Sequence, residues 1–202
     1  DLLVIGSGPA GLMAALTAAR GGAEVILAEE DARMGGRLLA ESHEVAGQTG
    51  ADWVAAALAE LSAMPNVRLM TRTTVTGAYD GGTFGALERV GLHLARPPMD
   101  LPRECFWRIV ARRAILAAGA HERPIAFANT DRPGVMMAGA VRAYVNRWGV
   151  APGQTVAVFG NNDDAHRTVR DLQAAGIGVS ALIDVREDAV APAGVTLHAG
   201  AR

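Results

Sequence analysis

Four apolar residues, Leu2 to Ile5, stop at a glycine, and an alanine-rich stretch from Pro9 to Arg20 then runs into Gly21 and Gly22. A second apolar run, Val25 to Ala28, follows at once. An apolar run, a helix-period stretch closed by glycine and a further apolar run make a strand, a helix and a parallel strand, because the link suits a crossover and not a hairpin. Arg33 to Leu39 reads as a turn through Gly35 and Gly36. Asp52 to Met64 carries helical spacing through Trp53, Ala56, Ala57, Leu61 and Met64 before Pro65, and Val67 to Val75 reads as one strand. A looser section containing Gly77, Gly81, Gly82, Gly85, Pro97, Pro98 and Pro102 leads to strand-like runs at Cys105 to Val110 and Ala114 to Ala118, together taken as a small inserted sheet.

The opening order then returns. A helix is expected around Ala138 to Trp148, a turn at Pro152 and Gly153, and then strand Thr155 to Phe159, helix Asp163 to Ala175 and strand Val179 to Asp184. The tail from Asp188 to Arg202 shows no closing element, so this second unit reads as truncated. The expected fold is α/β: a doubly wound, Rossmann-like parallel sheet with a small inserted β-sheet and a second, truncated Rossmann-like unit. The corresponding domains are residues 1–128, a connecting helix at 129–150 and residues 151–202.

Chemistry concentrates at Gly6-Ser7-Gly8-Pro9-Ala10-Gly11, which follows the first strand and opens the first helix. Gly6 allows the tight turn, Gly8 removes the side chain where a pyrophosphate must approach the backbone, and Gly11 lets helix and strand pack closely; the helix amides and dipole then face the anion. Pro9 and Ala10 complete the loop. Glu29 lies 18 residues after Gly11 at the end of the second strand, where a carboxylate accepts ribose hydroxyls, and Glu30 is the alternative for that role. Gly36 and Arg37 suit a second approach of backbone and guanidinium to the same cofactor.

The second loop departs from this pattern. Gly160 keeps the turn, but Asn162 and Ala165 stand at the second and third glycine positions, and Asp163 and Asp164 bring negative charge to the helix end. It reads as a poor nucleotide site, although Asp184 stands 19 residues after Ala165, as a ribose acid would.

Composition removes several other functions. All 19 basic residues are arginine, so no Walker, Schiff-base or general-base lysine lies in this stretch. The formal net charge of -2 and the absence of a basic block argue against nucleic acid, and no apolar run approaches the ~18 residues of a membrane span. A single cysteine, Cys105, gives no internal disulfide and no CxxC pair, no clustered ligands suggest a metal, and a reducing, cytoplasmic setting fits. The start at Asp1, directly in a strand, suggests a fragment or processed chain without a targeting peptide. His121, Glu122 and Arg123 read as a local ion-pair group in a loop. His166 with Arg167 and Arg170 reads as a solvated basic stripe, and His43, His93 and His198 have no supporting neighbours.

GSGPAGL, VILAEE and GGRLL together resemble the two-dinucleotide-domain flavoprotein superfamily, and Ala114 to Gly119 resembles the strand-and-glycine motif that ends its first domain. NVRLMTRTTVTGAYDGGTFGALERV, ARRAILAAGAHERPIAFANTDRPGVM and VFGNNDDAHRT are similar to the alpha subunit of heterotetrameric sarcosine oxidase, with related amine dehydrogenase subunits close behind. The resemblance implies an oxidoreductase complex acting on sarcosine, with FAD on a beta subunit, FMN between subunits, NAD on the alpha subunit and folate handled by a C-terminal region not matched here. It carries Gly6, Gly8, Gly11, Glu29, Gly36 and Arg37 over as cofactor contacts, places Gly119 beside the cofactor, and supplies no substrate-oxidising residue. NAD is the expected cofactor, with FAD as the alternative. A pyridine-nucleotide-dependent flavoprotein and a non-catalytic, nucleotide-bound scaffold are the rival readings.

Overall fold

The computed structural model describes residues 1–201. The chain divides into two compact units, one of Asp1–Leu38 and Glu44–Gly119, the other of Leu39–His43 and the chain from Ala120 onward.

In the first unit, Leu2–Ile5 (β1), Pro9–Arg20 (α1) and Val25–Ala28 (β2) follow the opening pattern. A four-residue 3-10 turn at Gly36–Leu39 precedes a short hairpin, Glu44–Val45 (β3) with Gln48–Thr49 (β4), and Gly50–Ala63 (α2). Thr49 caps α2, its hydroxyl accepting from Asp52 N at 3.1 Å, which supplies one of the unpaired first-turn amides with an acceptor. Val67–Met70 (β5), Thr73–Tyr79 (β6), Thr83–Glu88 (β7), Cys105–Val110 (β8) and Arg113–Leu116 (β9) complete the unit.

The expected single strand Val67 to Val75 is two strands in two sheets. β5 joins a parallel sheet of order β5-β2-β1-β9, whereas β6, β7 and β8 form an antiparallel sheet. The section expected to be loose from Gly77 to Gly85 is the β6–β7 hairpin. Gly81 and Gly82 both sit at φ +68 in its turn, a conformation costly for other residues, and Gly77 and Gly85 leave room on the sheet for the Tyr79 and Phe106 rings. Of the two runs assigned to the inserted sheet, only β8 lies there; β9 pairs in parallel with β1, Leu2 opposite Arg113.

Strand alternation sorts the core into two layers. Val4, Val25 and Leu27 meet Leu12, Leu16, Val54 and Leu61 of α1 and α2. Leu3 and Ala28 turn the other way, onto Ala86 and Ile109 of the antiparallel sheet. Each fully buried leucine contributes roughly 1.5 to 3 kcal/mol of transfer free energy.

In the second unit, Ala138–Arg142 (α3) runs into a π-helical turn at Ala143–Arg147, and Thr155–Gly160 (β10), Asp163–Ala174 (α4) and Gly178–Asp184 (β11) repeat the crossover. The expectation of no closing element is corrected: Leu197–Ala199 (β12) pairs in parallel with β11. Val158, Val169, Leu172 and Leu182 form the core of this unit. The Leu39–His43 strap is tied into it by buried charge: Arg142 donates to Asp171 at 2.8 Å and to Glu41 at 3.3 Å, Asn146 donates to Asp171 and to the Ala40 carbonyl, and Ser42 donates to Asp171. Burial alone would raise the Asp171 carboxyl, but the bonds from Ser42, Arg142 and Asn146 outweigh it and hold the group below the usual carboxylate range.

Candidate dinucleotide site

The loop between β1 and α1 is shaped by backbone collisions that only glycine avoids. Gly6, at φ +96, would carry a Cβ 2.5 Å from the Ala117 carbonyl oxygen, and a Cβ on Gly11 would run into the Gly6 carbonyl. Gly36, at φ +52 in the neighbouring turn, would carry one 2.7 Å from Gly8 Cα. Gly8 is the contrast: its φ of -64 is ordinary, yet a Cβ there would meet nothing within 4 Å. A glycine that neither strain nor packing requires leaves open space on the face where a diphosphate would lie. No side chain caps α1, Pro9 opens it, and no acid stands in its first turn, so its positive end is left for an anion.

Glu29 is buried, at 8% exposure. Its Oε2 accepts from Ser7 N at 2.9 Å and from Ser7 Oγ at 2.6 Å, and its Oε1 accepts from Asp31 N at 2.9 Å. Ser7 in turn accepts Gly35 N, on its carbonyl at 3.1 Å and on its hydroxyl at 3.2 Å. Glu30 is exposed, its carbonyl taking a 2.8 Å bond from Arg89. Arg37 is exposed in the 3-10 turn that begins at Gly36. Gly119, at φ +73, lies two residues beyond Ala117, with nothing within 4 Å of a Cβ. The structure thus gathers Gly6, Gly8, Gly11, Glu29 and Gly36 around one loop. Sequence reasoning gave Ser7 no role; a hydroxyl between two loop glycines, with an acid at the end of the next strand, was the available signal.

The second loop is built differently. Asn162 stands at the N-cap, as Gly8 does in α1, and its Oδ1 accepts Asp164 N at 2.9 Å. Asp184 is fully buried. Arg186 donates to both of its oxygens, from Nε at 3.1 Å and Nη2 at 2.9 Å, adds its backbone N–H at 2.9 Å, and reaches Asp163 at 2.9 Å. These bonds hold the Asp184 carboxyl well below the usual range. His166 is corrected from a solvated stripe to a buried residue whose Nε2 lies 2.9 Å from Asp184 Oδ2. Its place one turn before Val169 put it on the apolar face. Glu122 accepts Gly139 N at 2.7 Å in the first turn of α3.

Among the described residues no group of three or more His, Cys, Asp or Glu is placed to hold a metal, and no helix is long and apolar enough to cross a membrane.

Residues 1–60 match the family FAD dependent oxidoreductase, and the parallel crossover with its glycine loop has the form of a dinucleotide-binding fold. Within that class the chain is a homologue of the sarcosine oxidase alpha subunit over the stretch it spans. It is 54% identical over 186 residues to "Sarcosine oxidase subunit alpha" of Rhizobium meliloti (strain 1021), covering 92% of this chain and 19% of that protein. It is 47% identical over 204 residues to the same subunit of Corynebacterium sp. (strain P-1), covering 100% of this chain and 21% of that protein. The chain therefore spans about a fifth of the length of these relatives. Among solved structures, L-proline dehydrogenase from P.horikoshii superposes with a TM-score of 0.73 at 28% identity, covering 91% of this chain and 35% of that one.

Proposed function

We propose that this chain is the dinucleotide-binding part of a sarcosine oxidase alpha-like subunit and that its first loop holds the ADP half of NAD. The carrying observation is the open face at Gly8, bounded by Gly6, Gly11 and Gly36 where each would collide if it bore a side chain. In this reading Gly8, Pro9, Ala10 and Gly11 face the diphosphate, Glu29 and Glu30 stand at the ribose end, and Gly36, Arg37 and Gly119 flank the cofactor. When bound, the dinucleotide supplies hydride-transfer chemistry; the chain binds and orients it. FAD is the second reading, favoured by the family matched over residues 1–60. Oxidation of sarcosine belongs to the complex, with a flavin-bearing beta-like subunit as partner, in a cytoplasmic heterotetramer.

The test is the absorption spectrum of the purified chain with mass analysis of released cofactor, followed by titration with NAD and FAD. NAD binding without flavin absorbance is expected. Bound FAD would establish the second reading, and binding of neither would overturn the proposal. The chain with FAD, NAD and sarcosine is expected to give no hydrogen peroxide or NADH above the free-flavin background.

A further inference from the structure

Two cationic side chains converge on one buried carboxylate in the second unit. We propose that His166 is a proton-operated switch: once its imidazole is charged it takes Asp184 for itself and sends the Arg186 guanidinium outward onto Asp163 and Asp188.

Asp184 ends β11 with no exposure, and His166, in the first turn of α4, is 9% exposed. Three atoms meet there. Asp184 Oδ2 lies 2.9 Å from His166 Nε2 and 2.9 Å from Arg186 Nη2, and the two nitrogens are 3.1 Å apart. A neutral imidazole tolerates this triangle, because Nε2 either gives a hydrogen to Oδ2 or accepts one from Nη2. An imidazolium does not. Its Nε2 must donate, and its charge then stands 3.1 Å from a guanidinium nitrogen where little water screens the repulsion. One of the two cations has to move.

Arg186 is the one with somewhere to go. His166 is buried on a helix, whereas the Arg186 side chain is half-buried and already bonded to Asp163 at 2.9 Å, an acid that is itself exposed. Beside them lies a cavity of about 200 Å³ bounded by Asp163, His166, Arg186, Asp188, Ala189 and Val190, which gives the guanidinium space and a second carboxylate. Around the triangle α4 also carries Asp164 and Arg167, α3 and its π-turn carry Arg142 and Arg147, and β10 carries no charge. Arg167 is bonded to Asp164 and Arg142 to Asp171, and the only described side chains bonded to Asp184 are His166 and Arg186. Asp184, its carboxyl held down chiefly by Arg186, stays ionised across the range in which imidazoles titrate. The Arg186 backbone is tied at both ends, its N–H to Asp184 Oδ1 and its carbonyl to Gly200 N, so the exchange of partners is confined to side chains. In acid the second loop therefore presents a guanidinium that near neutral pH is folded against β11.

Nuclear magnetic resonance on the ¹⁵N-labelled chain follows both partners from about pH 8 to about pH 5.5. As the His166 ring nitrogens report the charged form, the Arg186 Nε–H should exchange with solvent roughly tenfold faster, against the ordinary slowing of exchange toward acid. His166→Gln keeps a donor for Asp184 without the charge and should leave the Arg186 Nε–H slow throughout. Three results would each overturn the proposal: an Arg186 Nε–H that stays slow beside a charged His166, the same acceleration in His166→Gln, or an imidazole still neutral at the acid end. Should His166→Gln fail to fold, Arg186→Gln gives the reciprocal reading. With the competing cation gone, His166 should take its proton at a higher pH than in wild type, and an unmoved titration would equally overturn the switch.

Discussion

The chain holds two strand-loop-helix units that share a backbone plan and differ in what fills the loop. At the N-cap, Gly8 leaves open space whereas Asn162 spends its own oxygen on Asp164 N. At the third glycine position, Gly11 is needed because any Cβ would strike Gly6; in the second loop the relation reverses, and Gly160 is the residue that makes room for Ala165. Gly6 takes a positive φ, and Gly160 does not. At the helix start α1 has no acid, while α4 has Asp163 and Asp164. The acid after the second strand is engaged by Ser7 in one unit and by a guanidinium in the other. A crossover can thus be retained for its packing after its anion-binding face has been taken over by side chains.

The largest expected effect is on binding. Gly8→Val puts a side chain into the open face at an ordinary φ, so dinucleotide affinity should fall by at least about a hundredfold with little change in Tm, checked by calorimetric titration and melting. Retained affinity would break the contrast between the loops. Gly11→Ala should do the reverse and act on the fold, costing about 3 kcal/mol through collision with the Gly6 carbonyl, read by denaturant unfolding. The equivalent position in the second loop already bears alanine.

Asp184→Asn should destabilise the chain by about 2 kcal/mol, since it removes the acceptor of charge-assisted bonds from Arg186. The sign with pH follows from the depressed carboxyl: its stabilising contribution is complete above the unfolded aspartate range and is lost as pH falls below about 4, toward the folded value. Melting curves of wild type and Asp184→Asn should converge under acid; parallel curves would show that the buried acid is not the group responsible. The smallest effect is at the cap, where Asn162→Ala should cost about 1 kcal/mol and create no nucleotide binding, because Arg186, Asp163 and Asp184 still occupy the face. Dinucleotide binding by Asn162→Ala would show that the cap alone closes the second loop.

The first crossover was legible because its constraints are local: a strand, three glycines at fixed spacing and an acid all fall within the first 29 residues. The antiparallel sheet was not, because its glycines read as looseness when they serve a tight turn at Gly81 and Gly82 and leave space for rings at Gly77 and Gly85. Asp80-Gly81-Gly82 between two strand-like runs was a usable hairpin signal. Pairings across long separations leave no such trace: nothing near Glu41 in sequence announces Arg142, and nothing near Asp184 except Arg186 announces its role. The surroundings of Glu29 were half legible, since its position was marked but the number of donors converging on it was not.

The Leu39–His43 strap limits how the polypeptide can be dissected. It belongs to the second unit although both flanking segments belong to the first, so that unit is not a continuous stretch of sequence. A clone beginning at Ala120 would keep Arg142, Asn146 and Asp171 but lack Glu41, Ser42 and the Ala40 carbonyl, stranding charge that the strap now satisfies. Expression trials that cut at the apparent boundary should therefore fail for want of five residues encoded about eighty codons upstream, whereas supplying that pentapeptide through a linked fusion would make the second half portable.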